Sequence, residues 1–87
     1  MLVRWSLHAK HRFAERAAKL GINYGDIELE IRQQKVKFKE KEKSKFKTVF
    51  KIDENMLTAV KIEKLNFIHL LTLWESNEEE VKKWKKK

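Results

Sequence analysis

The chain has no cysteine, no proline, only two glycines and a single tyrosine. Without cysteine there is no disulfide, no thiolate nucleophile and no thiolate metal site. A reducing compartment is compatible with that. No stretch approaches the ~20 consecutive apolar residues that cross a bilayer, so no membrane span is expected. The opening residues MLVRWSLHAK carry neither the apolar core nor the small-residue cleavage site of a signal peptide, and cytoplasm is the default location. A Gly-rich phosphate loop and a nucleophile elbow are also missing, which argues against an NTPase or an esterase. No internal repeat or linker-like segment divides the sequence. Its 87 residues read as one domain with a modest core, burying roughly 60–65% of the unfolded chain's surface.

What is abundant is positive charge. Twenty-one Lys and Arg against thirteen Asp and Glu give a formal charge of +8, while 41% hydrophobic residues suffice for a globular fold. So large a charge on so small a body attracts polyanions. Nucleic acid is the first partner to consider, ahead of acidic proteins and anionic membranes.

The stretch Ser6–Gly21, SLHAKHRFAERAAKLG, reads as an amphipathic helix. Ser6 can cap its first turn and Gly21 suits the left-handed residue that ends it. At about 100° per residue, Ala9, Phe13, Ala17 and Leu20 form one side, and His8, His11, Arg12, Glu15 and Lys19 the other, with Arg16 at the rim. Residues 1–5 are expected to cover one end of the core. Asn23 or Asp26 can cap a second short helix through about Gln33, although Ile27, Leu29 and Ile31 also alternate as in a strand.

From Lys35 the period changes to two. Lys35, Lys37, Lys39, Lys41, Lys43, Lys45 and Lys47 fill every odd position. Strands over about 35–39 and 45–52 would set Lys39 opposite Lys45 and Lys37 opposite Lys47. Like charges directly across a sheet destabilise it, so such a face either binds anions or stands solvated, its lysines blunting an edge strand. Asp53-Glu54-Asn55 reads as a turn, then a strand over about 56–63. The apolar run FIHLLTLWE reads as the central strand, with Thr72 and Trp74 on its Ile68/Leu70 face. The tail offers Ser76 and Glu79 at capping-box spacing for a short helix whose Val81 and Trp84 face the body. The expected architecture is α+β: two N-terminal helices packed on a four-stranded antiparallel meander sheet, with a short C-terminal helix.

Among chemistries, metal binding has little support, because His8 and His11 have no evident third ligand; no cofactor is implied. Metal-independent phosphodiester chemistry on RNA remains, needing a base, an acid and cations around the phosphate. His8, at the positive helix end and near arginines, is expected to favour its neutral form, and His11, one turn from Glu15, its protonated form. Two imidazoles pushed apart in this way would make an acid/base pair, with Arg12 and Arg16 holding phosphate. If the helix crosses the closing strand, Thr72 meets its polar edge. Phosphate contacts fall to Lys19, Lys35, Lys37, Lys39, Lys45 and Lys47, and to Lys61 on the neighbouring strand. The plainer alternative makes His8 and His11 solvated helix residues, His69 a core or sheet-edge histidine, and Trp5, Trp74 and Trp84 packing residues.

The run His8-Ala9-x-x-Arg12-x-x-x-Arg16, followed by Gly21-Ile22 and Asp26-Ile27-Glu28, resembles a group of small bacterial and archaeal domains of unknown function. Leu71-Thr72-Leu73-Trp74 resembles the pattern that ends their last strand. That group is placed with the barnase–EndoU–colicin–RelE class of ribonucleases, many of them toxins of toxin–antitoxin systems. The resemblance implies two N-terminal helices on a four-stranded antiparallel sheet and a site at His8, Arg12, Arg16 and Thr72. It departs at Ala17-Ala18-Lys19-Leu20, which here separate the second Arg from Gly-Ile by about one helical turn. The expected function is RNA binding, with metal-independent, toxin-like endoribonuclease activity and an antitoxin or inhibitor protein as a further partner. The alternatives are a non-catalytic nucleic-acid-binding module and an adaptor for an acidic protein. Oligomeric state is not legible.

Overall fold

Ser6 joins a strand to a helix through its hydroxyl, which accepts the Ala9 N–H at 2.9 Å and donates to the Leu71 carbonyl at 2.7 Å. The computed structural model in which this is seen describes residues 2–33, 36–40 and 44–86. The strand is β1 (Leu2–Trp5) and the helix α1 (Leu7–Arg12). α1 continues into a π-helical turn (Phe13–Ala17) and a 3₁₀ turn (Ala18–Leu20), and ends on Gly21 at φ 79°. The expected apolar stripe packs: Ala9 and Ala17 are fully buried and Phe13 is nearly so. Leu20 is a correction, since it stays more than a third exposed.

Helix α2 (Tyr24–Gln33) follows. Asn23 and Asp26 both act at its start: Asp26 N–H donates to Asn23 Oδ1, and Asn23 N–H to Asp26 Oδ2. Strands β2 (Lys37–Lys39), β3 (Lys45–Ile52), β4 (Asn55–Glu63) and β5 (Phe67–Glu75) then form an antiparallel run, and α3 (Glu78–Lys85) closes the described chain.

The fold is α+β, but the sheet has five strands in the order β1-β5-β4-β3-β2, with β1 parallel to β5. Four antiparallel strands were expected, with residues 1–5 as a cover for the core. The signal in LVRW is a period of two: Val3 is buried and Trp5 half-buried, while Leu2 and Arg4 are exposed. One face of the sheet, here the inner face, carries α1 and α2. Its core joins Ala9, Phe13, Ile22, Ile27 and Ile31 to Val3, Phe50, Leu57, Ala59, Leu70 and Leu73. α3 lies on the outer face.

Two register details redistribute the polar residues. First, Lys37 pairs with Thr48, Phe38 with Lys47 and Lys39 with Phe46. The expected lysine-opposite-lysine hairpin is therefore wrong by one residue. Thr48 is buried and donates its hydroxyl to the Val36 carbonyl at 2.8 Å, which fixes a register that avoids like charges face to face. Lys37 and Lys39 side with the inner face, Lys45 and Lys47 with the outer. Second, β5 pairs Thr72 with Val60 but Leu70 with Lys61, leaving Leu71 as an extra residue. Such a bulge reverses the alternation beyond it. Ile68, Leu70 and Leu73 all reach the inner core, whereas Thr72 and Trp74 point outward; they do not share the Ile68/Leu70 face as expected.

The C-terminal cap also moves by one. Asn77 and Glu80 form the capping box, not Ser76 and Glu79. The Ser76 hydroxyl is engaged elsewhere, 2.7 Å from the Thr58 hydroxyl.

Candidate nucleic-acid interface

On the outer face, residues paired directly across strands form rows spaced by roughly 4.8 Å per strand. One row runs Arg4, His69, Ile62, Lys45 across β1, β5, β4 and β3. The next runs Thr72, Val60, Lys47, Phe38 across β5, β4, β3 and β2. α3 covers the far end of this face. It is anchored by Glu80, whose Oε2 lies 2.7 Å from Lys47 Nζ and whose Oε1 accepts the Trp74 indole N–H at 3.1 Å. Lys83 lies over the Phe38 ring at 5.1 Å. None of the described helices covers the near end, where Arg4 is exposed and His69, Ile62, Phe67 and Lys45 are half-buried. The Arg4 guanidinium carbon sits 4.6 Å from the centroid of the Phe67 ring.

The candidates read from sequence fall into three places. His8, His11, Arg16 and Lys19 are exposed and Arg12 half-buried on the outer side of the first helix, with His8, His11 and the 73%-exposed Leu7 lining a shallow depression. Thr72 is on the opposite face of the sheet from that helix, so the expected meeting of His8, Arg12 and Thr72 does not occur. Two causes act: the bulge at Leu71 turns Thr72 to the outer face, and the helix lays Ala9, Phe13 and Ala17 on the sheet, leaving His8 exposed.

The lysines divide as well. Lys35 lies outside the described residues. Lys61 is fully buried, donating to the Ile31 carbonyl at 3.1 Å and pairing with Glu63 at 3.2 Å; as a surface phosphate contact it is a correction. Lys37 shares that carboxylate at 3.2 Å and stands over the Phe46 ring at 4.2 Å. Burial alone would raise the Glu63 carboxyl, but Lys37 and Lys61 together hold it below its ordinary range. Lys47 is bound to Glu80. Lys39 is exposed beside β3, and Lys45 is half-buried on the outer-face row.

Sequence reasoning passed over Arg4 and Phe67 and set His69 aside. Reading LVRW as a strand would have found Arg4, since Arg4 and His69 become neighbours only once β1 is laid parallel to β5. Among the described residues no three His, Asp or Glu side chains converge on a metal position. The chain matches no family model, no curated protein and no solved structure.

Proposed function

We propose that this protein binds RNA through the open end of the outer sheet face. The observation that carries the reading is the row Arg4–His69–Ile62–Lys45, with Thr72 one row away and Phe67 beside Arg4. Cations at both ends of a row about 14 Å long suit a phosphate backbone, and the half-exposed Phe67 and His69 suit sugar and base. Anisotropy of labelled single-stranded RNA over a salt series tests it: affinity falls as salt rises, and Arg4→Ala and Lys45→Ala weaken binding more than Lys19→Ala.

Cleavage is a second reading, favoured by His69 standing in register with Arg4. In it the His69 imidazole takes the 2′-hydroxyl proton, the 2′-oxygen bonds to phosphorus, the bond from phosphorus to the 5′-oxygen breaks, and the imidazolium protonates that leaving oxygen. The products are a 2′,3′-cyclic phosphate and a 5′-hydroxyl, and Arg4 meets the charge gained in the transition state. Incubating RNA with the protein in the presence of chelator decides it. Activity lost in His69→Ala and kept in His8→Ala/His11→Ala puts the chemistry on the sheet. The reverse puts it on the first helix, and no cleavage by the unmodified protein leaves RNA binding alone.

A further inference from the structure

We infer that Arg4 and Phe67 form a pedestal on which one unpaired base stacks, so that the ligand of the sheet face is a single strand with an accessible base. The inference rests on the RNA-binding reading above and adds to it the part of the nucleotide that is held. Phe67 opens β5 and Arg4 lies diagonally across the β1–β5 pairing, with its guanidinium over the ring at 4.6 Å. The ring lies against the cation on the sheet side. Arg4 is exposed, so its other side meets solvent. A guanidinium can stack on bases while its edge keeps N–H donors for a phosphate, a pairing of roles that the ammonium of lysine does not offer.

The surroundings suit a base and a sugar. Leu2, the register partner of Phe67, is 58% exposed on the same face, an apolar surface beside the pedestal. His69, the register partner of Arg4, supplies ring nitrogens on the other side. Bases inside a duplex are stacked on one another and show only their edges, so the pedestal selects for an unpaired one.

The test compares two strands of equal charge by fluorescence anisotropy with the full chain: a short oligouridine and an abasic strand of the same length. The unmodified protein is expected to prefer oligouridine by about tenfold, the range of one base–aromatic contact. Arg4→Lys, which keeps the charge and loses the plane, retains abasic-strand affinity and loses the preference. Phe67→Leu, checked for folding by its thermal melt, loses the preference too. Equal binding of both strands by the unmodified protein overturns the pedestal and leaves RNA binding standing. So does a preference that survives Arg4→Lys. Failure to bind either strand removes the RNA-binding reading itself.

Discussion

The Lys61 ammonium donates to the Ile31 carbonyl at 3.1 Å, closing the last turn of α2 onto β4 from a fully buried position. Ile31 is among the last four residues of that helix, whose carbonyls have no partner within the helix and gather its negative pole. Lys61→Ala leaves that carbonyl unpaired and a void behind it, and is expected to cost about 2–5 kcal/mol. Lys61→Met also gives up the hydrogen bond but keeps the volume, and should cost less because no void opens and Glu63 retains Lys37 as a counter-ion at 3.2 Å. Urea unfolding of the two variants checks this. An alanine variant as stable as the methionine variant would show that the Lys61 stem fills no space, and two variants as stable as the unmodified protein would show that its ammonium does not hold α2.

The same lysine gives an alkaline signature. Burial lowers its pKa below the ordinary 10.5, and the Glu63 carboxylate reverses this only in part. Between the lowered value and 10.5 the unfolded chain binds more protons than the folded one, so stability rises with pH in that window. Lys61→Met has no group there to titrate. The difference in unfolding free energy, unmodified protein minus Lys61→Met, should therefore grow as pH rises toward 10.5, and a flat difference would refute the assignment.

How far the sequence carried can be judged from single residues. Ala9, Phe13 and Ala17 were legible because one helix buries one stripe, and helical spacing survives the change to a π turn. The turn at Asp53-Glu54 was legible as well; Asp53 sits at φ 55°, where a short polar side chain is tolerated. The site was much less so. Alternation along β5 gives the right face only as far as Leu70, because nothing in HLLTLW marks Leu71 as the extra residue. The lysine ladder was visible, but its register is set by Thr48 and Val36, a contact between β3 and the residue before β2 that no local pattern contains. Arg4 was lost because a parallel partner lies more than sixty residues away in sequence, beyond the reach of periodicity.

Salt dependence separates the two basic surfaces. Each phosphate neutralised on a single strand contributes about −0.7 to the slope of log affinity against log salt. Lys45→Ala, on the outer-face row, should make the slope shallower by about that amount. Arg16→Ala and Lys19→Ala, on the first helix, should leave it unchanged. Slopes that respond to Arg16 and Lys19 but not to Lys45 would move RNA to the helical side of the molecule.

Glu80 holds α3 to the sheet and makes that attachment acid-sensitive. The residue is 3% exposed, with Lys47 at 2.7 Å, the Trp74 indole at 3.1 Å and the Asn77 N–H at 2.9 Å on its carboxylate. Burial would raise its carboxyl, but Lys47, Asn77 and Trp74 outweigh burial and hold it below 4.5. A carboxyl lowered on folding contributes stability that is complete above its unfolded value and is lost as pH falls through the folded one. Glu80→Gln keeps the shape and gives up the charge, leaving Lys47 without its counter-ion. The expected loss is about 1–3 kcal/mol, below the range for fully buried pairs, because the Lys47 side chain is 29% exposed. That gap between unmodified protein and variant should be widest above pH 4.5 and close on acidification. Urea unfolding followed by tryptophan fluorescence reports it, since Trp74 touches Glu80 and Trp84 lies on α3. A gap that persists undiminished in acid would mean that the charge of Glu80 does not hold the helix.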